Sequence, residues 1–322
     1  MIGGGVLAAA VLLTAVPAAA APTLTTLRAQ LEVFQALDTR VQSVGWKLAR
    51  ANAPFCRQVA PGIGLALFDA AGFSDPAAVL AALDLRGDIA VEAVAADSPA
   101  SRAGLRSRQP LSAVAGQTVS ELPAVPPGDY ARLVGLHDRV DAALLATGRA
   151  GFTDAAGREI EVIGESACVT RFELTSAGSE AAADGRRVVI GRKLVEALPP
   201  DSHGGDELLA AALAHELAHN LLGHRARLKA SGRSWSKVRV TEREADRLSV
   251  WLLANAGYDP QAAARFFERW GPRFDLGLFA TPDHDAWKAR VRTVSAEIVA
   301  MRAEQATHGG VADWSRDFRV ES

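Results

Sequence analysis

Two histidines and a glutamate stand at positions 215, 219 and 216, in the run His215-Glu216-Leu217-Ala218-His219. On a helix, residues four apart share a face one turn apart, so His215 and His219 can offer two imidazole nitrogens to a single metal ion. Glu216, beside the pair, is placed to take a proton from an activated water, which is hydrolytic chemistry of the H-E-x-x-H kind. A catalytic zinc takes three protein ligands and leaves a fourth position open. Thr241-Glu242-Arg243-Glu244-Ala245-Asp246 can supply the third, with Glu242 completing a His-His-Glu set. Asp246, one turn further on, could accept the ring N–H of a ligating histidine and fix its tautomer. Arg239, Arg243 and Arg247 interleave with these acids at helical spacing, so the stretch also reads as a solvated charged face.

The elements that must position these groups are legible around them. No Gly or Pro interrupts Asp206 to Leu222, and its Ala, Leu and Glu content predicts one helix. A second helix is expected from Thr241 to about Ala256, and a third after Asp259-Pro260, with Phe266, Phe267 and Trp270 in its core face. Ahead of the histidines, Arg171 to Ser176 alternates, Asp184-Gly185 signals a tight turn, and Arg187 to Ile190 is β-branched. A small antiparallel sheet is expected there; in zinc peptidases an edge strand of this kind holds the substrate, which points to the segment around Val188 to Gly191, with Val188 and Val189 pairing to its extended backbone. The polar stretch from Thr307 onward reads as a loosely attached tail.

His-Glu-Leu-Ala-His-Asn, followed by Glu-Arg-Glu-Ala-Asp-Arg-Leu and then by Asp283-His284-Asp285 through Arg290-Val291, resembles the HtpX-like and BepA-like zinc metallopeptidases, gluzincin relatives of the CaaX prenyl protease. The resemblance covers roughly residues 165 to 300; Asp285 departs from the family's usual proline. It implies one Zn2+ per chain on His215, His219 and Glu242, with Glu216 as general base and Asp246 in support. His284 would be either an oxyanion donor or an inhibitory zinc ligand, with Arg290 seating its loop. The implied activity is endopeptidase cleavage of unfolded or misassembled envelope proteins. The alternative keeps the zinc and makes the protein a chaperone or adaptor with little cleavage.

A second resemblance covers residues 61 to 163. Ile89 to Val94 alternates as a strand, Ser98-Pro99-Ala100-Ser101-Arg102-Ala103-Gly104-Leu105 reads as a short helix with a glycine stop, and Val114 to Val119 returns as a hairpin. This is similar to a bacterial PDZ domain, with Arg108-Gln109-Pro110 in place of a usual Gly-Asp. The resemblance implies a peptide-binding loop at Gly62, Ile63, Gly64 and Leu65, to which a C-terminal peptide would add as a strand. A module that only packs is the other reading.

Length and composition frame these readings. The 322 residues suggest about two domains, 49% hydrophobic and 22% charged residues are ordinary for a globular chain, and a net charge of −2 gives no reason to propose nucleic acid or an anionic membrane as partner. Residues 1 to 21, with an apolar run from Val6 to Val16 and Ala18-Ala19-Ala20 after Pro17, read as a secretory signal peptide without the usual positive start. Export to the periplasm follows, with a retained anchor as the alternative and any further membrane contact only peripheral. Leu24 to about Ala51 carries an amphipathic helical stripe. Cys56 and Cys168, the only cysteines, can pair in an oxidising compartment or remain two buried thiols. The expected fold is α+β: a helix and linker over 22–60, a PDZ-like β-rich domain over 61–163, a mostly helical gluzincin metallopeptidase domain with its small sheet over 164–306, and a tail over 307–322.

Overall fold

The computed structural model describes residues 23–200, 206–273 and 285–321. The signal-peptide reading and His284 therefore fall outside the described residues. Among the described residues, no helix is long and apolar enough to cross a membrane.

The fold is α+β with open sheets. The first helix, α1 (Leu24–Asn52), is capped by the Thr23 side chain and runs about 43 Å at 1.5 Å per residue. Then come β1 (Val59–Gly62), β2 (Leu65–Asp69), α2 (Pro76–Leu83), β3 (Ile89–Val94), α3 (Pro99–Arg102), β4 (Leu111–Val114), β5 (Gln117–Thr118), α4 (Ala131–Thr147), β6 (Arg149–Asp154), β7 (Glu159–Ile163) and β8 (Glu165–Cys168). β5, β4, β6 and β7 form one sheet, β2 and β3 a ribbon, and β1 pairs antiparallel with β8. Leu67, Ile89, Val91, Leu111, Leu136, Leu144 and Phe152 meet in a core belonging to these elements alone. Cys56 and Cys168 are joined as a disulfide with Cα atoms 5.7 Å apart, at the root of the β1–β8 pair.

The remaining elements are β9 (Arg171–Thr175), β10 (Ala181–Ala183), β11 (Arg187–Gly191), α5 (Arg192–Ala197), α6 (Glu207–Leu221), α7 (His224–Ser231), α8 (Trp235–Asn255), α9 (Gln261–Trp270), α10 (Trp287–Thr307) and α11 (Trp314–Asp317). Here α6 is the central rod. Its Leu209, Leu213 and Leu217 are buried with Leu48 of α1, Trp251 of α8, Phe267 of α9 and Ile298 of α10, while its alanines let α8 come close. Gly45 in mid-α1 is required by a close approach, because a Cβ there would sit 2.3 Å from the ring of Phe172 on β9.

Three expectations change. The sheet before α6 is mixed: β11 is central, antiparallel to β10 and parallel to β9. α8 starts six residues before Thr241, at a Ser234 cap whose hydroxyl accepts from the Lys237 N–H. The segment after Thr307 is not loosely attached. Trp314 Nε1 donates to Asn52 Oδ1 at 3.1 Å, Phe318 packs beneath the Arg247 guanidinium, and Glu321 pairs with Arg243 at 2.5 Å. Sparse apolar residues in a polar stretch look like a tail, but here each has a prepared partner.

Where α1 crosses β3, two carboxyls are buried together. Gln35 donates to Glu92 at 3.3 Å, and Gln42 donates to Asp38 at 3.2 Å and to the Phe172 carbonyl. Burial raises Asp38 to about 7, with Glu173 adding to the rise against the Gln42 bond; burial and then Asp38 raise Glu92 to about 8. Both folded-state values exceed the unfolded ones of about 4, so the folded state holds more protons across the interval between them. The pair's contribution is complete below about pH 4 and is lost as pH rises through 7 to 8. Glu92→Gln is therefore expected to flatten the fall in thermal midpoint between pH 5 and 8.5 and to be more stable than the parent at pH 8.5. A parent-like slope in that variant would place the pH dependence elsewhere.

Candidate metal centre

Three donor side chains converge on the solvent side of α6. His215 and His219, one turn apart, bring their Nε2 atoms to 3.2 Å from each other. Glu242, from the second turn of α8, places Oε2 at 3.3 Å from His215 Nε2 and Oε1 at 3.4 Å from His219 Nε2. Ligands about 2.0–2.2 Å from a tetrahedral ion are spaced by about 3.3–3.6 Å, so these donors already stand close to the corners of a zinc site. Their charges ask for a cation as well. Burial works against a charged His215, but Asp246 and Glu242 outweigh it and hold the ring up near 10; burial and then His215 drive His219 down to about 3. A divalent ion would take the place of the proton that the carboxylates retain on His215.

Supporting groups fix both rings. His215 Nδ1 is buried 3.0 Å from Asp246 Oδ1 and has no other hydrogen-bond partner among the described residues. Asp246 is fully buried, and Arg290 grips both its oxygens at 2.8 and 2.6 Å. Burial pushes the Asp246 carboxyl up, but Arg290 and His215 together keep it below the usual range, hence ionised. The Arg290 guanidinium also stacks on Phe267 and reaches to 3.8 Å from Glu242. What it seats among the described residues is thus Asp246.

His219 has its own support, which the sequence reading missed. Gly223, with φ of 64°, turns the chain out of α6 and into α7, so that His224 folds back with Nδ1 2.8 Å from His219 Nδ1. His224 Nε2 lies 3.1 Å from Glu244, which is also paired with Arg227 and accepts the Glu321 N–H at 2.8 Å. With Glu244 ionised, the network assigns the proton of His224 to Nε2 and that of His219 to Nδ1. The His219 Nε2 lone pair is then left facing the cluster. The one available signal was a histidine just past a helix-breaking glycine.

The cleft over the cluster is lined by Glu216, Asn220, Thr241, Leu228 and the three alanines of β10, among others. Asn220 ties sheet to helix: its Oδ1 accepts the Gly185 N–H at 2.6 Å and its Nδ2 donates to the Arg187 carbonyl at 3.1 Å. Val188 and Val189, expected to receive substrate, lie on the central strand, where both edges are already paired. Among the described residues, the strand bordering the cleft with one unpaired edge is β10. Three alanines do not read as a strand, and only pairing with β11 makes them one.

The expected peptide loop at Gly62, Ile63, Gly64 and Leu65 is far along the chain from these groups. Ile63 is buried, the carbonyls of Ile63 and Gly64 accept from Ala100 and Ala95, and Gly64, at φ of 64°, presses on Ser98. On β2 the N–H of Leu67 points to His137 Nε2 of α4 at 3.4 Å. That donor is one an added strand would use, and a ring already stands before it. Compared with protein-family models, with curated proteins and with solved structures, the chain matches none.

Proposed function

We propose that this protein is a zinc-dependent endopeptidase. The observation that carries the reading is the convergence of His215, His219 and Glu242, each offering one ligand atom, these atoms within 4.8 Å of one another, beside Glu216 in an open cleft. Bound zinc would supply Lewis acidity, acidifying a water and polarising the scissile carbonyl. Glu216 accepts the water's proton and hands it to the leaving amine. Asp246 and His224 hold the two rings in the tautomers that present Nε2 to the ion. The outer edge of β10, whose turn into β11 is held by Asn220, pairs with the substrate backbone and excludes water from it. The kinship proposed is with the HtpX-like and BepA-like peptidases, and the β-rich residues 61–163 are proposed as a PDZ-like accessory that delivers unfolded chains. Export to the periplasm belongs to the same proposal, with the disulfide in its support.

The test is metal analysis joined to proteolysis. Purified protein is expected to carry one zinc per chain and to cut an unfolded protein such as reduced casein, with cleavage stopped by a chelator and restored by added zinc. Cleavage unaffected by complete zinc removal would end this reading.

A further inference from the structure

Between Glu216 and Glu242 the chain contains no Asp or Glu, but it contains Arg225, Arg227, Lys229, Arg233, Lys237 and Arg239. In a protein of net charge −2 this is a local concentration, and the fold sorts it. Arg227 is turned away and paired with Glu244, and Lys237 binds the Ser231 carbonyl. Arg225, Lys229 and Arg233 instead line the cleft that holds the metal cluster.

Arg225 and Lys229 are four apart on α7, hence neighbours on one face, and Arg233 follows just beyond the helix. All three are exposed, and none is paired with a described acid. Like charges at this spacing destabilise a helix when nothing relieves them. Among the described residues, the carboxylates lining the cleft are Glu216 and Glu242, both assigned to the proposed metal site. Among the described residues the wall is thus a row of cations without acid partners, which an anionic group entering the cleft would relieve.

We infer that α7 and the turn after it form a specificity wall that selects peptide segments carrying Asp or Glu beside the scissile bond. The inference rests on the peptidase reading for its peptide ligand. Leu228, on the same wall, gives the aliphatic parts of such side chains an apolar surface. Rim charges act mainly through long-range attraction, so the preference should weaken as salt shortens the Debye length.

The experiment compares two fluorescein-labelled ten-residue peptides, identical except that four Glu in one are Gln in the other. Anisotropy is read on zinc-loaded Glu216→Gln protein, which holds peptide uncut, with and without the further change Arg225→Gln/Lys229→Gln/Arg233→Gln. Zinc content and circular dichroism confirm that each protein is folded and loaded. The acidic peptide is expected to bind about tenfold more tightly at low salt when the wall is intact, and within about twofold when it is neutralised. The charge of the metal site is common to both proteins, so their ratio isolates the wall. Equal binding of both peptides to the intact protein would overturn the inference, as would a preference that survives neutralisation. A single-stranded oligonucleotide of equal charge binding as tightly as the acidic peptide would also overturn it, since the wall would then be a general anion patch. Cleavage by the parent enzyme separates the two readings. Both peptides cut without preference would remove the wall and leave the peptidase; an acidic binding preference with neither peptide cut would do the reverse.

Discussion

Glu216→Gln is expected to fold, keep one zinc and lose about 1000-fold in turnover of an unfolded protein. The amide is nearly the same size as the carboxylate and can fill the same place in the cleft, so packing of α6 is unchanged. What disappears is the proton acceptor, and general base catalysis contributes about 100- to 10,000-fold in hydrolases. The proposed ligands are His215, His219 and Glu242, so metal content should not follow activity. Full activity in this variant would remove the proposed mechanism, and with it the difference from a chaperone that only holds its clients.

Glu242→Gln should separate the protein from its metal. The neutral amide gives up the charge that, with Asp246, holds His215 so far above its ordinary value, and it offers a weaker oxygen to a divalent ion. Zinc affinity and activity are expected to fall together. Asp246→Ala provides the comparison, because a group that only orients a ligand costs about 10- to 100-fold in affinity, and the loss at Glu242 should exceed that range. Removing the fully buried Asp246 also takes from Arg290 the carboxylate it grips, so thermal stability should drop with it, whereas Glu242 is partly open to solvent. Competition with a zinc-binding dye measures both variants. Retention of full affinity by Glu242→Gln would require another third ligand.

These groups differ in how far they could be read from the chain alone. His215, His219 and Glu242 were legible because each lies on a helix whose phase is set by its own residues, and phase decides which side chains share a face. Asp246 followed from the same arithmetic. His224 was not legible, since its position depends on the left-handed turn at Gly223 and on Glu244 of α8 arriving opposite it. The sheet was harder still. The strand character of Arg187 to Gly191 is in its β-branched residues, but that it lies between β9 and β10 is a matter of pairing partners, which no local pattern carries. Glu321 and Arg319 reach α8 at Arg243, Glu244 and Arg247 only because the chain returns there, and a polar segment of that composition gives no hint of its destination.

The disulfide sits where β1 leaves the helical body and β8 rejoins it, with Val59 opposite Cys168 in the ladder. Departure and return therefore occur at one point, and the residues between them are a side branch of the protein's topology, sealed at its base by a bond across 112 positions of sequence. Closing a loop of that size removes about 4.7 kcal/mol of freedom from the unfolded chain in the entropic picture, a contribution shared by branch and body alike. It also means that a peptide bond broken anywhere inside the branch leaves one covalent molecule. The helices that carry the metal ligands would keep their order and their connections through such a cut, and the branch can lengthen, shorten or diverge without rethreading them.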